Sequence, residues 1–91
     1  MRMRKKPNLI PRMEKCGQVQ IKEPEKLRGA WRAQFPDFGA LWLEIGCGKG
    51  RFTLDTARSE PGVMLLALER VEDAMVIAME RVCDASVKNV R

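Results

Sequence analysis

The sequence predicts an α/β fold: a Rossmann-like, doubly wound parallel sheet represented by its first two strands and helices and the start of a third strand, preceded by an irregular basic N-terminal arm. Three observations predict it. "ALWLEI" and "VMLLALE" are apolar runs ending in or next to a glutamate, the pattern of strands buried on both faces of a parallel sheet. Between them "GCGKG" makes a tight turn that leads into the helical segment "RFTLDTARS", closed by Pro61 and Gly62. After the second run, Val71, Ala74, Met75, Ala78, Met79 and Val82 recur at spacings of three and four, giving one apolar helix stripe suited to covering a sheet.

The elements divide the 91 residues into an arm, residues 1–39, and the N-terminal part of a cofactor-binding domain, residues 40–91. The arm holds ten Lys and Arg against four acids, whereas the remainder holds seven against eight, so the whole basic excess of a +5 chain lies in front. A clustered excess of this kind attracts polyanions and releases their counterions, although a solvated tail has the same composition. Pro7, Pro11, Pro24 and Pro36 interrupt the arm, which shows no sustained period. One short helix is expected after Pro24, with Leu27, Ala30, Trp31 and Gln34 on one side. At the other end, "VKNVR" reads as a turn and the first residues of a third strand. Parallel strands need neighbours on both edges and covering on both faces, so the sequence reads as the front of a longer domain.

Composition excludes several classes. Cys16, Cys47 and Cys83 are odd in number, widely spaced and accompanied by no histidine, which argues against a disulfide framework and against a metal site. "MRMRKKPNLIPRM" has a charged start but no apolar core after it, and no run approaches membrane-spanning length. A cytoplasmic protein is expected.

A glycine-rich turn between a first strand and a helix, with an acid at the end of the next strand, is the geometry that binds a nucleoside-bearing cofactor. Gly46, Gly48 and Gly50 allow positive φ and close backbone approach, and Glu69 is placed to accept hydrogen bonds from ribose hydroxyls. The spacing G-x-G-x-G is not that of a dinucleotide fingerprint, whose third glycine would fall at Arg51. No Ser or Thr follows "GKG", as a phosphate loop requires. Glu44, two residues before the first glycine, would repel a pyrophosphate but suits the sulfonium and α-ammonium of S-adenosylmethionine. The plainer alternative is a tight turn flanked by two solvated acids.

These residues resemble the bacterial tRNA (guanine-N7-)-methyltransferases, class I enzymes that use S-adenosylmethionine. The likeness is carried by "MRMRKKP", "LRGAW", "LEIGCGKGRF" and "LALERVEDAMVIAMERV", and covers nearly the whole chain but only the front of a usual family member. The resemblance implies that Glu44 and Glu69 contact S-adenosylmethionine and that Gly46, Gly48 and Gly50 line its methionine end. It also implies that Arg2, Arg4, Lys5 and Lys6 contact tRNA, the expected partner. The segment carrying the family's proposed catalytic aspartate would lie beyond Arg91, so no catalytic residue is expected here and the chain alone is expected to be inactive. Guanine N7 has a free lone pair and no proton, so the reaction needs alignment of N7, methyl carbon and sulfur rather than a general base. Two other functions fit the same residues: a truncated, non-catalytic chain that binds cofactor or RNA, and a class I methyltransferase with a different acceptor. Trp31 and Trp42 could each stack on a base; Trp42, in a strand, is expected in the core.

Overall fold

The computed structural model of the chain describes residues 8–91. Helix α1 (Leu9–Lys15) is followed by 3-10 turns at Gly17–Val19 and Pro24–Leu27, then α2 (Trp31–Gln34), β1 (Ala40–Ile45), α3 (Arg51–Ser59), β2 (Val63–Leu68) and α4 (Glu72–Asp84). β1 and β2 are parallel, in register from Ala40 opposite Val63 to Ile45 opposite Leu68. On the other edge of β2, Val90 forms a parallel bridge with Leu65, and Arg91 donates its N–H to the Leu65 carbonyl at 3.0 Å. The expected third strand therefore begins beside β2, and β2 is flanked on both edges.

The two strands differ in burial. Val63, Met64 and Leu65 of β2 are buried, Met64 completely. β1, expected to be covered on both faces, leaves Leu43 and Ile45 at 64% and 76% exposure, and Trp42, expected in the core, at 43%. Leu43 and Ile45 are two residues apart and so point to one face of the sheet, opposite the Glu44 side chain that meets α3, and that face of β1 is left to water.

α4 is buried on two sides. Val82 joins Leu65, Ala57, Val19 and Val90 in a cluster against the sheet. Val76, off the predicted stripe, is completely buried because α1 covers it: Met13 and Cys16 form a second cluster with Val76 and Met79. Arg12 fastens the same contact, its Nε donating to Glu80 Oε2 at 2.9 Å.

α1 is a helix that the proline count did not predict. Pro11 occupies its third position, inside the first turn, where the missing N–H would have had no intrahelical partner in any case. The single helix expected after Pro24 is instead two short turns: the chain leaves Pro24–Leu27, passes Gly29 at φ +77° and re-enters helical geometry at Trp31. Asn89, which the sequence reading did not single out, ties the third segment down. Its buried amide donates to the carbonyls of Ala57, Glu60 and Val63 at 2.9 to 3.0 Å, joining the end of α3, the following turn and the start of β2.

Candidate functional site

The predicted site lies at the carboxyl ends of β1 and β2. The turn after β1 is fixed by the end of β2: the N–H groups of Gly46 and Cys47 both donate to the Leu68 carbonyl, at 2.7 and 3.0 Å. The next residue of that strand end, Glu69, reaches back into the turn. Its Oε1 accepts from the Gly48 N–H at 2.7 Å and its Oε2 from the Val71 N–H at 3.0 Å. These two N–H groups, Val71 first, hold the Glu69 carboxyl below the usual glutamate range. A carboxylate has about four lone-pair directions, so two bonds leave acceptor capacity on a half-buried side chain.

Glu44 sits on the other side of the turn, where its Oε1 accepts from the Thr53 hydroxyl of α3. Thr53 is 1% exposed and was not singled out from the sequence, because a threonine within a short helix carries no signal of the partner it will meet. Glu44 and Glu69 both bear on Cys47, so the turn is electronegative, which favours a ligand with a cationic group. Burial, with Glu44 and Glu69 nearby, pushes the Cys47 thiol up, so the one cysteine in the turn is kept protonated and is a poor nucleophile.

The three glycines have different surroundings. All have positive φ, +75° at Gly46, +58° at Gly48 and +82° at Gly50. A Cβ at Gly46 or Gly48 would meet nothing within 4 Å, so these two leave open space above the turn. A Cβ at Gly50 would lie 2.8 Å from Ala78 Cβ and 3.0 Å from Ala78 Cα. Gly50 is thus the point where the start of α3 presses on α4. Glu44, Gly46, Gly48 and Glu69 thus lie at or beside the turn after β1, while the space a Cβ would take at Gly50 belongs to the neighbouring helix. Arg2, Arg4, Lys5 and Lys6 lie outside the described residues.

Beside the turn opens an apolar cavity of about 170 Å³, with Cys47, Thr53 and Glu69 on one side and Ile21, Pro24 and Trp31 on the other. Among the described residues no group of His, Cys, Asp and Glu could hold a metal ion, and no helix is long and apolar enough to cross a membrane.

A strand, a glycine turn, a helix and a returning acid occur together in many nucleotide-binding proteins, so the family is decided by comparison. The family model described as "Putative methyltransferase" matches residues 39–91, from just before β1 to the end of the chain. The chain belongs to this methyltransferase family. Over its whole length the methyltransferase chain is also similar to individual relatives. It is 34% identical over 91 residues to the tRNA (guanine-N(7)-)-methyltransferase of Listeria monocytogenes serotype 4b (strain F2365), and covers 42% of that protein. It is 36% identical over 91 residues to the enzyme of the same name from Exiguobacterium sp. (strain ATCC BAA-1283 / AT1b), again covering 42% of it. The protein of that name from Acetivibrio thermocellus is 34% identical over 102 aligned residues, 44% of its length. The methyltransferase chain thus spans about 42% of the length of the curated relatives it matches. Its two-stranded parallel sheet with helices is compatible with part of a methyltransferase fold.

Proposed function

We propose that the protein, at the length of these relatives, transfers a methyl group from S-adenosylmethionine to N7 of a guanine in tRNA. The observation that carries the reading is the Glu69 carboxylate bonded to the Gly48 N–H: an acid from the second strand end held against an open glycine turn, in a chain similar throughout to proteins named for that reaction. In this reading the fold is the Rossmann-like doubly wound one, with residues 1–39 as arm and 40–91 as the first part of the cofactor domain. Glu69 accepts from the ribose hydroxyls, and Glu44 faces the cationic methionine end. Gly46, Gly48 and Gly50 let that end approach the backbone, and Gly50 also leaves room for Ala78 where α3 meets α4. Arg2, Arg4, Lys5 and Lys6 contact tRNA phosphates. The setting is the cytoplasm, where tRNA is modified.

S-adenosylmethionine supplies an electrophilic methyl carbon. This chain's residues orient the donor, and none of them needs to take a proton because guanine N7 carries none. The test is methyl transfer from labelled S-adenosylmethionine to unmodified tRNA by the full-length protein, with calorimetry of the cofactor alongside. Label at guanine N7 is expected. Glu69→Ala should weaken cofactor binding by about 1.5 to 3 kcal/mol, the worth of a hydrogen bond to a charged acceptor. Removing residues 1–6 should leave cofactor affinity unchanged while flattening the salt dependence of tRNA binding by about 0.7 to 0.9 in log-log slope per lost phosphate contact. Label on another base or another acceptor would replace the tRNA guanine reading.

A further inference from the structure

The cavity beside the glycine turn is used by nothing in the reading above. Its walls come from several parts of the chain: Cys47 and Glu69 at the sheet end, Met75 and Met79 of α4, Val90 after it, and Ile21 and Trp31 from the stretch that follows α1. At about 170 Å³ it exceeds the size that admits a flat aromatic ring. An apolar cavity of about 150 Å³ is enough for benzene and stays dry without one. Water gains little here, since it needs two to four polar partners and the lining is almost wholly apolar. The polar exception that matters is Glu69, whose spare lone pairs accept hydroxyl protons. A ring compartment next to an acceptor of paired hydroxyls describes a nucleoside.

We propose that Trp31 is a cofactor-contacting residue: the purine ring of the methyl donor enters this cavity and lies against the Trp31 indole, while the attached ribose is held by Glu69. The inference rests on the cofactor reading of the site and adds to it a wall built by the N-terminal segment. Trp31 is half-buried and starts α2, the four-residue turn that follows Gly29. Gly29 at φ +77° redirects the chain just before it, so that the indole reaches the cavity although its helix lies outside the sheet.

The test uses the full-length protein and two probes, adenosine and S-adenosylhomocysteine, titrated by calorimetry into wild type, Trp31→Ala, Trp31→Phe and Glu69→Ala. Loss of a stacking ring should weaken both probes about tenfold or more in Trp31→Ala, and Trp31→Phe should stay within about threefold of wild type. Subtracting the emission of Trp31→Phe from that of wild type, with and without adenosine, isolates the contribution of Trp31. Adenosine should quench it, which a purely structural tryptophan would not show. Binding that is lost in Glu69→Ala but intact in Trp31→Ala, with emission unmoved at saturation, overturns the proposal while leaving the cofactor site standing. Absence of binding of either probe to wild type overturns both.

Discussion

β1 and β2 are six residues each, run in parallel register and are both mostly apolar, yet they live in different surroundings. β2 has a strand partner on each edge, and its start is sealed against α3 and α4. Among the described residues β1 has a strand partner on one edge, and its Leu43 and Ile45 face water. The difference teaches that an apolar run states what a strand requires, while its burial is decided by what other segments bring to it. Leu65 is worth its transfer free energy because Val19, Val82 and Val90 arrive from three other parts of the chain.

The strongest way to break this comparison is to truncate one side chain in each strand of the 91-residue chain. Leu65→Ala should lower stability by about 2 to 5 kcal/mol, the usual cost of a core leucine, whereas Leu43→Ala should stay within about 0.5 kcal/mol. Denaturant midpoints measure both. Equal losses would mean that β1 is covered as well as β2.

A smaller effect is expected at the turn that joins β1 to α3. Gly50→Ala places a methyl group against Ala78 and in a left-handed backbone, so it should cost about 1 to 3 kcal/mol. Gly48→Ala meets only the backbone penalty of about 1 to 2 kcal/mol, and should therefore be the milder of the two in the same unfolding assay. A reversed order would show that the start of α3 does not press on α4.

The smallest effect concerns the cover over β2 from the far side, where α1 is fastened to α4. Arg12 holds the Glu80 carboxyl below its ordinary value of 4.5, with Lys15 adding to the effect. A depressed carboxyl contributes stability above its unfolded pKa and loses that contribution as pH falls through the folded one. Thermal midpoints should thus drop on acidification below 4.5, and Glu80→Gln should show a shallower drop. Glu69, depressed by the N–H groups of Val71 and Gly48, adds to the loss in the same direction and over the same window. If Glu80→Gln and wild type respond alike, the Arg12 contact does not stabilise the folded chain.

β1, α3, β2 and α4 were legible in the sequence because each carries its own period or run, and the glycine turn and Pro61-Gly62 mark the breaks around α3. The acid at the end of β2 was legible too, since its position follows from the length of the strand. Its bond to the Gly48 N–H was not, because strand ends and turns are brought together by register, which the strands choose jointly. α1 was hidden by Pro11, a residue that ends helices from within but is harmless in a first turn. Once α1 was missed, Val76 could not be recognised as core, because the face it occupies has no partner without Met13 and Cys16. At Gly50 the spacing did not show a second feature: the space that a side chain there would take is filled by Ala78.

Position 50 is consequently under two independent constraints, and they bear on how the chain can change over generations. Replacing Ala78 with glycine would remove the methyl group that a new side chain at 50 would strike, yet φ at 50 would remain +82°. Relaxing the turn instead would leave the collision in place. Neither partner substitution opens a neutral path alone, so a lineage that leaves glycine at this position must alter the turn and the helix contact together. Gly46 and Gly48, with open space above them, are bound only by the first constraint and by whatever ligand approaches.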